Sequence, residues 1–357
     1  MKSVKEGPIY RQVEQFLRDQ IEAGLVAPGD KLPSVSQLCE QFGGIHHLTV
    51  RQAIKNLALE GLVRPIQGRG LFVAEQKIRN SCIALVVPSV DDAMASRMIK
   101  GIQTVFKEAR VNSLIMDSEC NPKKEAENIR QIQDLPLQGA IIFPIPLPHI
   151  IREIIKLHMD GLPFVLVDRF FPGIELPSVT VDNYRGVYEL TAHLIRRGHK
   201  RFAWVGRTSI STTGERYEGF RDALNDHQIA CQQRYVKKLE SLTVNVSAME
   251  AACAAVKEIL GEKTRPDAMV FANDSLALMG MEEIKRKGVR IPEDIAVAGF
   301  DDIERAGLAV PSLTTVRQPV EAMGGEAARY LLEQLSGRKT PPRRIVLPVE
   351  LAVRNSG

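Results

Sequence analysis

One stretch of this 357-residue chain, TVRQAIKNLALEG at positions 49–61, has polar residues at a spacing suited to binding nucleic acid. Its apolar residues recur at i, i+3, i+4 and i+7, which predicts one buried helical stripe: Val50, Ala53, Ile54 and Leu57. The residues off that stripe suit phosphates and base edges: Arg51, Gln52, Lys55 and Asn56. Taken alone, the stretch is better explained as an ordinary amphipathic helix with a solvated polar face.

The neighbouring segments favour the DNA-binding interpretation. Thr49 is expected to cap the helix, with Gln52 as its capping-box partner, and Gly61 to end it. Helical spacing also predicts a helix from Pro8 to Ala23 and another beginning at Ser34, which has Gln37 three residues later. Leu62–Ile66 and Leu71–Ala74 read as two strands joined by a tight turn at 67–70. Three helices followed by a hairpin are the layout of a winged helix-turn-helix.

A second set of candidate residues follows strands in the rest of the chain. Apolar segments that predict strands alternate with helical stretches: Cys82–Val87, Leu114–Asp117, Ala140–Pro144, Phe164–Asp168, Val179–Asp182, Phe202–Gly206, Ala268–Ala272 and Ile295–Phe300. Such alternation indicates parallel sheets, whose ligands bind beyond the carboxyl ends of the strands. The polar residues at those ends are the site candidates: Ser89, Asp168, Arg169, Asn273, Asp274, Asp301 and Asp302. Asp274 is also expected to cap the helix after it, and Trp204 to lie in the core.

The composition excludes several classes of protein. Residues 1–80 hold 11 Lys and Arg against 8 Asp and Glu, so most of the net charge of +4 lies there, which permits nucleic-acid binding. The five cysteines include no CxxC pair, and we expect neither a disulfide framework, a metal site nor a cofactor. No signal peptide or membrane-spanning run is apparent, so we expect a cytoplasmic protein that does not bind membranes. No P-loop, GxSxG or HExxH motif suggests an enzyme.

Residues 8–74 resemble the DNA-binding domain of the GntR family of bacterial repressors, through the strings PGDKLPS, TVRQAI, GLV and QGRGLFV. The resemblance implies that the third helix enters the major groove and that the wing touches the minor groove or the backbone. The DNA contacts that we expect are Ser34, Thr49, Arg51, Gln52, Lys55, Gly68 and Arg69. The chain departs from the family at His46-His47-Leu48, where a usual arginine is absent. These two histidines either contact DNA or are polar turn residues.

Nearly all of residues 82–357 resembles the effector-binding domain of the LacI family, which is similar to periplasmic sugar-binding proteins. The strings that carry the resemblance are LVDRFF, VTVDNYRG, HLIRRGHKRFAWVGR, RYEGFRDAL, PDAMVFANDSLALMG, IPEDIAVAGFDD, LTTVRQP and LPVELAVRNSG. It implies two lobes joined by crossovers near residues 169–182, 301–312 and 336–343, with an effector between the lobes. The effector contacts that it implies are Asp168, Arg216, Asn273 and Asp301. Asp301 could instead cap a turn, and Phe170, Phe171 or Phe300 could stack on a ring.

The whole chain is therefore expected to be an α/β protein with a winged helix-turn-helix (1–74), a linker (75–81) and a two-lobed sensor of the periplasmic-binding-protein type I class (82–357). Arabinose-responsive repressors share this domain order. We expect a homodimeric repressor that binds double-stranded operator DNA and is released by a small effector, and the polar contacts above favour a sugar. A transport-type binding protein, a corepressor-dependent regulator and an enzyme are the alternatives.

Overall fold

The computed structural model describes residues 8–59, 61–66, 68–74, 82–239, 246–337 and 341–357. The expected linker at 75–81 lies outside these residues, as does Gln67 of the wing turn. The described part of the chain contains an amino-terminal winged domain and two α/β lobes, which confirms the expected fold class. None of the described helices has the length and hydropathy needed to cross a bilayer.

The winged domain consists of three helices and a hairpin, in the order that the sequence predicts: α1 (Ile9–Glu22), α2 (Val35–Gln41), α3 (His47–Leu59), β1 (Val63–Ile66) and β2 (Gly70–Val73). The apolar stripe of α3 is buried, because Val50, Ala53 and Leu57 pack against Val13 and Leu17 of α1 in one core. The two strands are antiparallel. Burial of the stripe fixes which side of α3 faces outward.

The start of α3 differs from the prediction. The helix begins at His47, two residues before Thr49, so Thr49 is not its cap. The backbone N–H of Leu48 donates instead to Nδ1 of His46 at 3.3 Å. An imidazole nitrogen here satisfies an amide of the first turn, a role that Ser, Thr, Asp or Asn usually fill.

Both lobes are built from parallel strands covered by helices. In chain order the elements after the winged domain are β3 (Cys82–Val87), α4 (Ala93–Ala109), β4 (Asn112–Asp117), α5 (Pro122–Gln131), β5 (Gly139–Ile142), α6 (Pro148–Met159), β6 (Phe164–Val167), β7 (Ser178–Val181), α7 (Asn183–Arg196), β8 (Phe202–Gly206), α8 (Ser211–Asp226), β9 (Val236–Lys238), α9 (Val246–Gly261), β10 (Ala268–Phe271), α10 (Asp274–Arg286), β11 (Ala296–Ala298), α11 (Glu304–Leu308), β12 (Thr315–Arg317), α12 (Val320–Leu335), β13 (Arg344–Leu347) and β14 (Glu350–Ala352). Within the described residues, the first lobe has the strand order β13-β7-β6-β5-β3-β4 and the second has β11-β10-β8-β9. Strands β5, β6, β7, β8 and β10 are buried on both faces, as their apolar sequences predict.

The chain crosses between the lobes after β7, after β12 and between β13 and β14. Strand β7 belongs to the first sheet, whereas α7 packs on α8 of the second lobe. Strand β12 pairs with β14 in a short antiparallel sheet, and α12 returns to pack on α4. The first crossing, after Val181, falls at the end of the expected range. The second and third lie later in the chain than expected, because β12 extends to Arg317 and residues 344–347 still pair within the first sheet. The cleft between the lobes is bounded by these crossings.

Candidate functional site

The surface of the winged domain that was predicted to contact DNA consists of α3 and the hairpin tip. Arg51, Gln52 and Lys55 are exposed on α3, on the side opposite its buried stripe. Arg69 is exposed at the tip beside Gly68, whose φ of +75° places it in the left-handed region that favours glycine. The structure therefore presents the basic residues among the expected DNA contacts to solvent.

Three other candidates on this surface are engaged within the domain. Ser34 caps α2: its Oγ accepts from the N–H of Gln37 at 3.3 Å, and its own N–H donates to Gln37 Oε1 at 2.8 Å. Gln52 forms no capping box and donates to Asn56 Oδ1 at 2.8 Å. Asn56 in turn donates to Glu14 Oε1 at 2.6 Å, which ties α3 to α1.

His46 and His47 are exposed before and at the start of α3. Their rings lie 4.3 Å apart at an interplanar angle of 34°. His46 has a structural role through its bond to Leu48, so the turn alternative accounts for that residue. The described residues contain no cluster of ligands that could hold a metal ion.

The cleft between the lobes has a volume of about 580 Å³ and contains all four expected effector residues, Asp168, Arg216, Asn273 and Asp301, in its lining. Of the strand-end candidates, Arg169 also lines it, whereas Ser89, Asp274 and Asp302 do not. Such a volume suits a small polar molecule. The rule that polar residues after parallel strands converge thus holds for most, but not all, of the candidates.

Arg216, on α8, is the most heavily bonded residue of the cleft. Its Nε donates to Asn183 Oδ1 at 2.8 Å, and its Nη1 donates to the carbonyl of Ala272 at 2.8 Å and to Asp301 Oδ1 at 3.4 Å. The guanidinium also lies 3.7 Å from the ring centroid of Phe300. Within the described residues only Nη2 is left without a hydrogen bond, so Arg216 offers a ligand one edge of its guanidinium.

Asp301 follows β11 and holds an unusual backbone conformation, with φ of +121°. Its Oδ1 accepts from Gln318 Nε2 at 2.7 Å as well as from Arg216. Burial raises the pKa of Asp301 to about 6, although Arg216 and Gln318 both favour the charged form. Asp301 is therefore a hydrogen-bonded carboxylate that faces the cleft rather than the cap of a turn.

The residue that caps α10 is Asn273 and not Asp274, for which the sequence suggested that role. Asn273 caps α10, because its Oδ1 accepts from the N–H of Leu276 at 2.9 Å, and it still lines the cleft. Asp274 is not the cap: it is fully buried and accepts from the Ile303 N–H and the Thr315 hydroxyl. It fixes the loop that carries Asp301 instead of facing a ligand.

Asp168 directly follows β6 and has a left-handed backbone conformation, with φ of +66°. Its Oδ2 lies 3.5 Å from Nε of Arg169. Burial raises its pKa, and the charges of Arg169 and Arg216 oppose that rise. Asp168 thus brings a carboxylate from the first lobe towards the arginine of the second.

Arg207 lines the cleft but was not among the residues singled out in the sequence. It directly follows β8, so the strand-end rule applies to it, and only 8% of it is exposed. Burial and the charge of Arg169 lower its pKa to about 10. Gln318 was missed as well, because the strand before it has only three residues.

The aromatic residues suggested for ring stacking do not line the cleft. Phe170 lies under the guanidinium of Arg344 at 3.6 Å, Phe171 is buried in the core of the first lobe, and Phe300 lies under Arg216. Phe143 is the aromatic residue of the lining. Trp204 is fully buried, as expected.

Glu125, on α5, is a buried carboxyl close enough to Arg169 to interact with its charge. Its Oε1 accepts from the N–H of Ile145 at 2.7 Å, and its Oε2 is buried without a hydrogen bond in the described residues. Burial raises its pKa to about 7, against the opposing effects of that bond and of Arg169. The folded protein thus binds this proton more tightly than the unfolded chain. Stability therefore falls as pH rises from about 4.5 to about 7.

We expect Glu125→Gln to raise the free energy of unfolding at pH 8 by about 1–3 kcal/mol, because the substitution removes a buried charge. The gain is limited because the amide NH₂ of the glutamine is left without a hydrogen-bond partner. At pH 4.5 the gain should vanish. Denaturant unfolding at both pH values measures it, and Glu127→Gln, an exposed neighbour on α5, is the control. An equal effect at the two pH values would contradict the prediction.

Comparison with known proteins matches two parts of the chain to family models. Residues 9–73 match the model described as "Bacterial regulatory proteins, gntR family", and residues 191–357 match "Periplasmic binding protein-like domain". Over 98% of this chain and 97% of the relative, it is 30% identical to the arabinose metabolism transcriptional repressor of Geobacillus stearothermophilus. The repressor of the same name from Halalkalibacterium halodurans is 26% identical over 97% of this chain and 96% of its own length.

A solved structure shares the fold. Transcription regulator CcpA of Lactococcus lactis superimposes with a TM-score of 0.71 at 22% identity, over 78% of this chain and 99% of that chain.

Proposed function

The chain belongs to the GntR-type transcriptional repressors with a periplasmic-binding-protein-like domain, and from that membership we propose a cytoplasmic repressor that a sugar-class effector releases from its operator. In this proposal α3 enters the major groove and the wing contacts the backbone or the minor groove. The relatives are named as transcriptional repressors. In this proposal the lobes bind a ligand and do not catalyse a reaction.

The observation that carries the proposal is the set of unsatisfied polar atoms in the cleft. Within the described residues, Gln318 Oε1, Thr213 Oγ1 and Arg169 Nε are buried without a hydrogen bond, and all three residues line the cleft. Buried polar groups are normally paired, so these atoms favour a ligand that supplies donors and acceptors. The hydroxyls of a sugar do both, and the charged Arg216 and Asp301 would strengthen the bonds.

A homodimer would let two winged domains read a near-palindromic operator. One winged domain makes few base contacts, and here the histidine pair stands where the family usually has an arginine. In a dimer the DNA contacts of both winged domains contribute to the affinity for one operator, although neither domain gains a new contact. We assign dimerisation to the lobes, and transmission of the switch to residues 75–81, which join α3 and the wing to the first lobe.

The switch can be measured as a coupling between the two ligands. We expect the effector to weaken operator binding about 5–150-fold, and operator DNA to weaken effector binding by the same factor. L-arabinose is the first sugar to test, because the relatives are named for arabinose metabolism. Calorimetric titration with and without a saturating duplex, selected for binding from random sequences, gives both affinities.

A scrambled duplex is the control for that titration. Equal sugar affinities with and without operator would contradict the coupling, and tighter binding on DNA would make the sugar a corepressor. Sugar binding by a protein that binds no duplex would favour the transport-type alternative. Turnover of the sugar would identify an enzyme.

A further inference from the structure

We propose that the effector is an acidic sugar derivative, one carrying a carboxylate or a phosphate, and that Arg207 and Arg169 bind its acidic group. This inference rests on the proposed function, in which the cleft binds the effector. It narrows the ligand from sugars in general to those with a negative charge.

Arg207 is a buried cation that has no hydrogen-bond or ion-pair partner in the part of the chain that the structure describes. Only 8% of it is exposed, it lines the cleft, and within the described residues it makes neither a hydrogen bond nor an ion pair. Leaving a buried charge unpaired is unfavourable, so buried arginines are normally paired. The planar fork of a guanidinium matches the geometry of carboxylate and phosphate oxygens. Arg207 therefore has the properties of a side chain that is completed by an anionic ligand.

Arg169 adds a second guanidinium close to the first. Its Nε is buried without a hydrogen bond in the described residues, although Asp168 Oδ2 lies 3.5 Å away. Its Nη1 donates to the carbonyl of Pro144. Its charge is near enough to disfavour the protonated form of Arg207. An anion between the two would relieve that repulsion, which a neutral hydroxyl cannot do.

The carboxylates of the cleft do not neutralise Arg207. Asp301 is bonded to Arg216 and Gln318, and Asp168 is closest to Arg169. Asp91, Asp92 and Glu304 also line the cleft but are exposed. Asp92 is near enough to favour the charged form of Arg169, whereas the charge of Arg207 is opposed by burial and by Arg169. Among the described residues, the inner cleft therefore has three arginines (Arg169, Arg207 and Arg216) and two carboxylates (Asp168 and Asp301), and Arg207 is the arginine that neither carboxylate contacts.

The test compares neutral sugars with their acidic counterparts on the full-length protein. The pairs are L-arabinose with L-arabinonate, D-glucose with D-glucuronate, and D-glucose with glucose 6-phosphate; inorganic phosphate is the minimal anion. We expect at least one acid to bind about tenfold or more tightly than its neutral parent, since a hydrogen bond to a charged group contributes that much. Comparison of the sugar carboxylates with the sugar phosphate identifies which acidic group the cleft binds.

Arg207→Gln should reduce the affinity for that acid about 10–100-fold and reduce the affinity for the neutral parent by a much smaller factor. Without ligand the variant should melt about 2–4 °C higher, because it removes an unpaired buried charge. Arg305→Gln, which removes an exposed arginine at the mouth of the cleft, is the control and should change the affinity by less than about twofold. Arg207→Lys keeps the charge without the fork and should bind the acid with intermediate affinity.

Failure of this inference can be told apart from failure of the proposed function. The inference is overturned, and the repressor proposal stands, if a neutral sugar binds as tightly as its acid, weakens operator binding and has the same affinity for Arg207→Gln as for the wild type. If no sugar affects operator binding but phosphate raises the melting temperature of the wild type and not of Arg207→Gln, the anion site stands and the switch proposal fails.

Discussion

Arg216→Ala is expected to lower the free energy of unfolding by about 3–5 kcal/mol and to remove effector binding, since breaking a buried charge pair leaves the other charge uncompensated. Only 4% of Arg216 is exposed. Its loss would remove a hydrogen-bond donor from Asp301, Asn183 and the Ala272 carbonyl at the same time. Denaturant unfolding at pH 8 measures the loss, and a change below about 1 kcal/mol would argue against it.

Two further variants separate charge from packing. In Arg216→Ala the penalty should be smaller at pH 5 than at pH 8, because Asp301, with a pKa of about 6 even beside the arginine, can then take up a proton. Adding Asp301→Asn to Arg216→Ala should recover part of the loss at pH 8. Arg221→Ala, on the same helix but exposed and bonded to its neighbour Asp222, is the matched control and should change stability by less than about 0.5 kcal/mol.

Arg51→Ala is expected to weaken operator binding by about 1–3 kcal/mol at each half-site if Arg51 reads a base, and by twice that in a dimer. The side chain is exposed on α3, opposite the buried stripe. If Arg51 contacts only phosphate, affinity should fall on all sequences and the salt slope should shrink by about one per contact. Titrations of operator and scrambled duplexes at several salt concentrations distinguish these cases.

Arg185→Ala removes the same charge from an exposed site in the second lobe and should leave DNA binding unchanged. Arg69→Ala at the wing tip should weaken binding to operator as well. Unchanged operator affinity in both Arg51→Ala and Arg69→Ala would refute the docking of α3 and the wing.

The spacing of apolar residues made the fold predictable. The positions of polar residues just after strands made most of the cleft lining predictable. The apolar stripe of α3 and the continuous apolar strands each have one physical explanation, burial on one face or on both. Asp168 and Arg169 follow a strand of the first sheet, and Asn273 and Asp301 follow strands of the second. They could be predicted together because ligands of parallel sheets bind beyond the carboxyl ends of the strands.

The sequence did not predict which of several similar residues forms a given hydrogen bond. Asn273 and Asp274 can both cap a helix, and only tertiary contacts to Ile303 and Thr315 determine which one does. Thr49 was expected to cap α3, but a backbone N–H of its first turn, that of Leu48, donates to the side chain of His46. The missing partner of Arg207 is a property of three-dimensional packing, which no spacing in the sequence reveals.

The bonding of Arg216 has a consequence for the entropy of binding. A free arginine side chain loses up to about 2 kcal/mol of rotamer entropy when it is held in one conformation. Here Asn183, the Ala272 carbonyl and the face of Phe300 hold the guanidinium through contacts within the protein. That entropy is lost when the chain folds rather than when the effector arrives. The preorganised Arg216 therefore lets more of its interaction with the ligand appear as affinity.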